Sequence, residues 1–202
     1  MKNFDPVPPV RISTGIAGMD HVLDGGLPAH HLYLLEGEPG SGKTTMGLQF
    51  LRAGAQAGEK VLYVTLSESE DELQAVARSH GWSLQGIEIY ELGSSIALDM
   101  AADQSVLHPS ELELGETADS ILERVRSAEP DRVVIDSLSE LRLLAQDSLR
   151  YRRQVLSLKR FFATRRCTVC KELRAIFFCG NSQTHCVLGH GDRGITDQSV
   201  KS

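Results

Sequence analysis

The stretch GEPGSGKTT, residues 37–45, decides how the rest of the chain is read. From Gly37 to Thr44 it fits G-x-x-x-x-G-K-[ST]. Glycines let a backbone curl until several amide N–H groups point at one phosphate, where a side chain would block the approach. In that spelling Gly37, Glu38, Pro39, Gly40, Ser41, Gly42, Lys43, Thr44 and Thr45 line the phosphates of a nucleotide. Lys43 reaches the β- and γ-phosphates, and the Thr44 hydroxyl can ligate Mg²⁺. The helix that follows presents the positive end of its dipole.

Outward from the loop, strand-like and helix-like segments alternate. HLYLLE (31–36) is a short apolar run read as a buried strand, and residues 44–57 follow as a helix stopped by Gly58. KVLYVTL (60–66) is a second strand. Ser69 then caps a helix, Glu72 completes a capping box, and Gly81 ends the helix after His80. A third strand is read at 87–92, a surface excursion at 93–114, and a helix at 116–128 ended by Pro130. RVVID (132–136) is an apolar strand closing on an acid. Residues 148–164 carry Tyr151, Val155, Leu158 and Phe162 at amphipathic helical spacing. Strands separated by helices predict an α/β fold, a mostly parallel sheet with helices on both faces. Prolines at 6, 8 and 9 make residues 1–13 an extended lead-in.

Two acids stand where such a sheet meets ligand. Asp136 ends a buried strand, where a charge is unfavourable unless something uses it. It either supports the Mg²⁺ shell or caps the next element. Glu68 is the first acid beyond the second strand, at the carboxyl end of the sheet. On spacing alone, it either positions a water molecule or favours a helix N-terminus; Glu70, Asp71 and Glu72 are read as doing the latter.

The 202 residues, 41% of them hydrophobic, suffice for the core of one such domain. A net charge of −6 argues against a protein built to coat nucleic acid or anionic membrane. No apolar run approaches the ~20 residues of a membrane span, and the proline-rich start does not resemble a secretory signal. A cytoplasmic location is expected. The four cysteines, Cys167, Cys170, Cys179 and Cys186, are then thiols or, with His185, candidate zinc ligands of irregular spacing. His30 and His31 are read as structural. Between Arg150 and Arg166 seven basic residues and no acid occur, interleaved with the apolar face as in an ordinary solvated helix.

The segments TGIAGMDHVLDGGLP (14–28), LYLLEGEPGSGKTTMGLQFL (32–51), LYVTLSESEDEL (62–73), HGWSL (80–84) and RVVIDSLSEL (132–141) together resemble the KaiC-like branch of the RecA superfamily of ATPases. The resemblance implies a RecA-type P-loop core over residues 14–169 that binds ATP with Mg²⁺. It also implies assembly into a hexameric ring of copies and slow hydrolysis coupled to shape change. By motif position Lys43 and Glu68 are the catalytic residues, and Thr44 and Asp136 hold the metal. Some relatives phosphorylate their own Ser or Thr residues, and here Ser137 and Ser139 lie near the site. Many members carry two adjacent glutamates where this chain has Ser67 and Glu68. Beyond residue 169 the family's late strands and trans-acting basic residues are not recognisable, and residues 170–202 form an atypical tail. The genetic code permits a shifted reading frame from about residue 170 as its origin. Two further functions compatible with these departures are a nucleotide-binding regulator with little hydrolysis and a DNA-binding RecA relative.

Overall fold

A computed structural model of the chain describes residues 9–92, 109–145, 147–165, 167–173 and 185–187. The elements in order are β1 (Arg11–Ile12), α1 (Ala17–Val22), β2 (Leu27–Pro28), β3 (Leu32–Glu36), α2 (Lys43–Gln56), β4 (Val61–Thr65) and α3 (Glu70–Ser79). There follow β5 (Ile87–Glu91), α4 (Pro109–Ala128), β6 (Arg132–Asp136), α5 (Leu138–Ala145), α6 (Ser148–Ala163), β7 (Thr168–Leu173) and β8 (His185–Val187). The large sheet has the order β5-β4-β6-β7-β3-β8, and every pairing in it is parallel. β1 and β2 pair antiparallel beside it.

β4 and β6 are buried along their whole length because helices cover both faces, which is why VLYVT and RVVID read as continuous runs. Alternation sorts their side chains. Val61, Tyr63 and Val134 pack with Leu48 and Leu51 of α2 and Leu73 of α3. Leu62, Val64, Val133 and Ile135 pack on the other face with Ile121 of α4, Leu141 of α5 and Leu158 of α6. The capping box expected at α3 is present, with Ser69 and Glu72 bonded reciprocally. On α6, Tyr151, Leu158 and Phe162 are buried as their spacing predicts.

Several elements differ from the sequence expectation. α4 begins at Pro109 rather than at residue 116; Pro is well suited to a first helical turn, but the following SELELGE shows no apolar stripe to announce a helix. α1 and α5, of six and eight residues, are too short for a periodic pattern to declare itself. After α6, where late strands were expected to be missing, β7 inserts between β6 and β3, and β8 pairs on the far side of β3. Lys171 and Glu172 interrupt the apolar run of β7 and hide it from a hydrophobicity reading. Residues 93–108 of the excursion expected at 93–114, and most of the tail, lie outside the described residues. Among the described residues no helix is long and apolar enough to cross a membrane.

The segment from Ser13 to Asp20 is tied down by two polar devices. Thr14, fully buried, donates its N–H and its hydroxyl to Asp20 Oδ1 at 2.7 and 2.6 Å, and Ser13 Oγ donates to Oδ2 at 2.5 Å. Gly15 between them has φ +79°, and a Cβ there would lie 2.6 Å from the Gln49 carbonyl oxygen of α2. Burial pushes the Asp20 carboxyl up, but the hydrogen bonds from Ser13 and Thr14 outweigh it and hold the group below its ordinary value. The second device is Arg132, 3% exposed at the start of β6. It donates to the carbonyls of Ser13 (2.7 Å) and Phe50 (3.1 Å), pairs with Glu59 and lies 4.9 Å above the Phe50 ring.

Arg132→Met keeps the apolar stem but withdraws the guanidinium from the Ser13 and Phe50 carbonyls and leaves Glu59 without this ion pair. It should lower unfolding stability by about 3 kcal/mol in a denaturant titration; an unchanged midpoint would mean the guanidinium contributes nothing net. Asp20 makes a pH-dependent contribution. Its folded value is depressed, so its stabilisation is complete above the unfolded value of 3.8 and lost as pH falls through the lower, folded value. The stability gap between wild type and Asp20→Asn should therefore hold at neutral pH and close on acidification below about 4. A gap independent of pH across that window would contradict the hydrogen-bonded carboxylate described.

Candidate nucleotide-binding site

The loop at 37–42 leaves the carboxyl end of β3 and turns into α2. Gly42, at the helix N-cap, adopts a left-handed conformation with φ +87°, open to glycine at no steric penalty. No side chain among the described residues caps α2, and its first turn holds no acid. Its leading amides and the positive end of its dipole are thus left to an anion. Lys43 Nζ folds back over the loop and donates to the carbonyls of Gly37 and Glu38, each at 3.0 Å. Ser41 Oγ is buried in the loop with no hydrogen-bond partner among the described residues. Glu38 and Pro39 are exposed at the loop's crest, and Thr45 is half-buried behind Thr44.

Thr44 brings the two candidate acids together. Its hydroxyl lies 3.4 Å from Glu68 Oε1 and 3.3 Å from Asp136 Oδ2. β4 and β6 arrange this meeting: Thr65 stands opposite Asp136 in register, and the Leu66 amide donates to the Asp136 carbonyl at 2.7 Å. Just beyond, Thr65 Oγ1 donates to the Glu68 carbonyl at 2.7 Å and accepts the Glu68 N–H at 2.9 Å. Burial, followed by the neighbouring Asp136 charge, pushes the Glu68 carboxyl above its usual value; the Thr44 hydroxyl and the Lys43 charge oppose this less strongly. Glu68 Oε2 is buried with no partner among the described residues. A hydroxyl and two carboxylates make a hard-oxygen donor set, which suits Mg²⁺ completed by phosphate and water.

Three residues that the sequence reading did not single out support these acids. Tyr63, fully buried, donates to Asp136 Oδ2 at 2.8 Å. Thr65 fastens the backbone of Glu68, and Glu91 at the end of β5 accepts the Glu70 amide at the head of α3. Tyr63 and Thr65 sit two apart on one face of β4, a period-two signal that an apolar run conceals.

The cysteine pair departs from the zinc reading. Cys167 packs among the α4–α6 residues, whereas Cys170 packs against the α2 side, because positions three apart in extended chain face opposite ways. Burial pushes the Cys167 thiol up to about 11, away from the thiolate a metal requires. Cys179 lies outside the described residues. Part of the basic run serves the fold: Arg165 stacks 4.3 Å from the Phe161 ring, with Arg126 of α4 at 5.2 Å from the same ring.

Comparison with known proteins shows what the chain as a whole is similar to. The family described as "ATPase: KaiC" matches residues 12–173. A UPF0273 protein of Methanopyrus kandleri is 35% identical over 167 residues, covering 78% of this chain and 64% of the relative. The circadian clock protein KaiC3 of Synechocystis is 32% identical over 151 residues, 73% of this chain and 29% of that protein. The crystal structure of a KaiC-like protein from Pyrococcus horikoshii superposes with a TM-score of 0.67 at 27% identity, covering 83% of this chain and 73% of that one. The chain thus spans less than two thirds of the length of these curated relatives.

Two carboxylates near one hydroxyl oppose folding in the absence of a ligand. Glu68→Gln removes one charge and should raise the nucleotide-free unfolding stability by about 1 kcal/mol, as is common when strain at a site is relieved. A lower stability would mean Glu68 is held by favourable contacts instead.

Proposed function

We propose, from the premise that this chain belongs to the KaiC family of ATPases, that it binds MgATP at residues 37–45 and hydrolyses it there. The convergence of Thr44, Glu68 and Asp136 in front of an uncapped helix carries the reading. The loop amides and the α2 N-terminus receive the phosphates. Lys43 exchanges its two loop carbonyls for β- and γ-phosphate oxygens. Thr44 and Asp136 would hold Mg²⁺, which supplies positive charge to those oxygens. Glu68 Oε2, without a partner among the described residues, accepts a hydrogen bond from the attacking water and draws its proton as the γ-phosphoryl bond breaks. Its raised pKa makes it a stronger base than a solvated glutamate.

Assembly into a ring of copies, and use of the site to phosphorylate Ser137 or Ser139, extend the proposal. Both are proposed of a chain that spans only part of the length of its relatives. A regulator that binds ATP and hydrolyses little is the second reading, favoured by Ser67 standing where many family members carry a glutamate.

MgATP should raise the thermal unfolding temperature of wild type and leave Lys43→Ala unmoved. Glu68→Gln should keep that rise while losing about 100-fold in phosphate release, the usual reach of a general base. Binding with turnover that Glu68→Gln leaves unchanged would replace the hydrolase by the regulator, and absence of any rise in wild type would remove both. Incubation with γ-labelled ATP followed by mapping of the label tests Ser137 and Ser139.

A further inference from the structure

We propose that Tyr63 is a positioning residue for the metal end of the site: from beneath, its hydroxyl donates to Asp136 Oδ2 at 2.8 Å and turns that carboxylate toward Thr44. The assignment rests on the MgATP reading above and adds to it a residue that lies in neither the phosphate loop nor the Asp136 strand.

Tyr63 is fully buried among Leu48, Leu51, Leu73 and Val134, where a phenylalanine would pack as well. A buried phenol is unfavourable unless its O–H finds an acceptor, and here a carboxylate oxygen takes it. The same oxygen faces the Thr44 hydroxyl at 3.3 Å, a longer and weaker contact. Tyr63 therefore sets the carboxylate's direction, and the Thr44 hydroxyl can trade its contact for a metal without releasing Asp136. The topology makes this possible. Tyr63 pairs in register with Val134, two positions before Asp136, and its side chain lies on the same α2 face as those of Val134 and Cys170. The phenol thus reaches along β6 to the acid at its end. Hydrogen-bond partners one layer behind a metal ligand typically govern 10–100-fold in metal affinity.

The test compares wild type with Tyr63→Phe. Thermal unfolding is followed with a saturating non-hydrolysable ATP analogue, first in EDTA and then across a Mg²⁺ titration. In EDTA both chains should unfold cooperatively and respond equally to the nucleotide. The Mg²⁺ concentration at the midpoint of the further stabilisation should rise about tenfold or more in Tyr63→Phe. In an Asp136→Asn background, adding Tyr63→Phe should move that midpoint no further, since the hydroxyl acts through the carboxylate. An unchanged midpoint in Tyr63→Phe, an equal shift in both backgrounds, or loss of the cooperative transition in EDTA would each overturn the assignment. The last would mean the hydroxyl serves folding rather than the metal. Wild type that responds to the analogue but not to Mg²⁺ would overturn the MgATP reading itself, and Tyr63's role with it.

Discussion

The parallel pairing of β4 with β6, Thr65 opposite Asp136, is the constraint on which the site depends. Strands that run the same way end at the same edge, so the acid closing β6 and the turn leaving β4 meet there. Glu68 follows from that turn. β3 reaches the same edge through β7, which sets the loop at 37–42 facing both acids. A slip of one residue would turn Tyr63 and Asp136 to the side of α4 to α6 and dismantle the arrangement. Helices on both faces forbid that slip, because it would also move Val61 and Leu62 into the wrong cluster.

The two ends of the sheet are satisfied in opposite ways. At the amino end, Arg132 finds carbonyls, a carboxylate and an aromatic face, and the Thr14–Asp20 bonds fix the segment that follows Ser13. At the carboxyl end, two acids crowd one hydroxyl, Glu68 Oε2 is orphaned among the described residues, and α2 opens uncapped. That edge asks for an anion at the helix and a cation at the acids, side by side. Mg²⁺ carried on a nucleotide's phosphates presents both together, whereas a free phosphate or a lone cation answers only half. Marginal stability tolerates such an edge because the other end is well matched.

What the sequence made legible follows from what kind of signal each element carries. β4, β6 and α2 were readable because burial on two faces or on one stripe leaves a pattern in residue type. The loop was readable because its chemistry dictates its spelling. Arg132 was not, since its partners are backbone carbonyls and a glutamate 73 positions away, which no local pattern records. β7 hid behind Lys171 and Glu172, and α1 and α5 behind their brevity. Tyr63 and Thr65 were absorbed into an apolar run, although Tyr63 spends its hydroxyl on the Asp136 carboxylate and Thr65 spends its own on the Glu68 backbone. The T-G-x-x-G-x-D lead-in is explained at Thr14, Gly15 and Asp20. Gly18 has nothing within 4 Å of a Cβ position, and the structure supplies no steric reason for it.

The single glutamate after β4 bears on how much of the edge survives the family's variation. Ser67 is exposed, so the exchange falls on a position that the surrounding clamp does not use. The clamp holds Glu68 on both sides: Thr65 closes a ring with its N–H and C=O, and Glu91 and the Ser69–Glu72 box fasten the next residues. A carboxylate on a backbone fixed at so many points has few ways to swing out of reach of Thr44. Its orientation therefore derives from Thr65 and Glu91 rather than from a neighbouring acid, and a second glutamate would add charge repulsion to an edge that already opposes ionisation of Glu68.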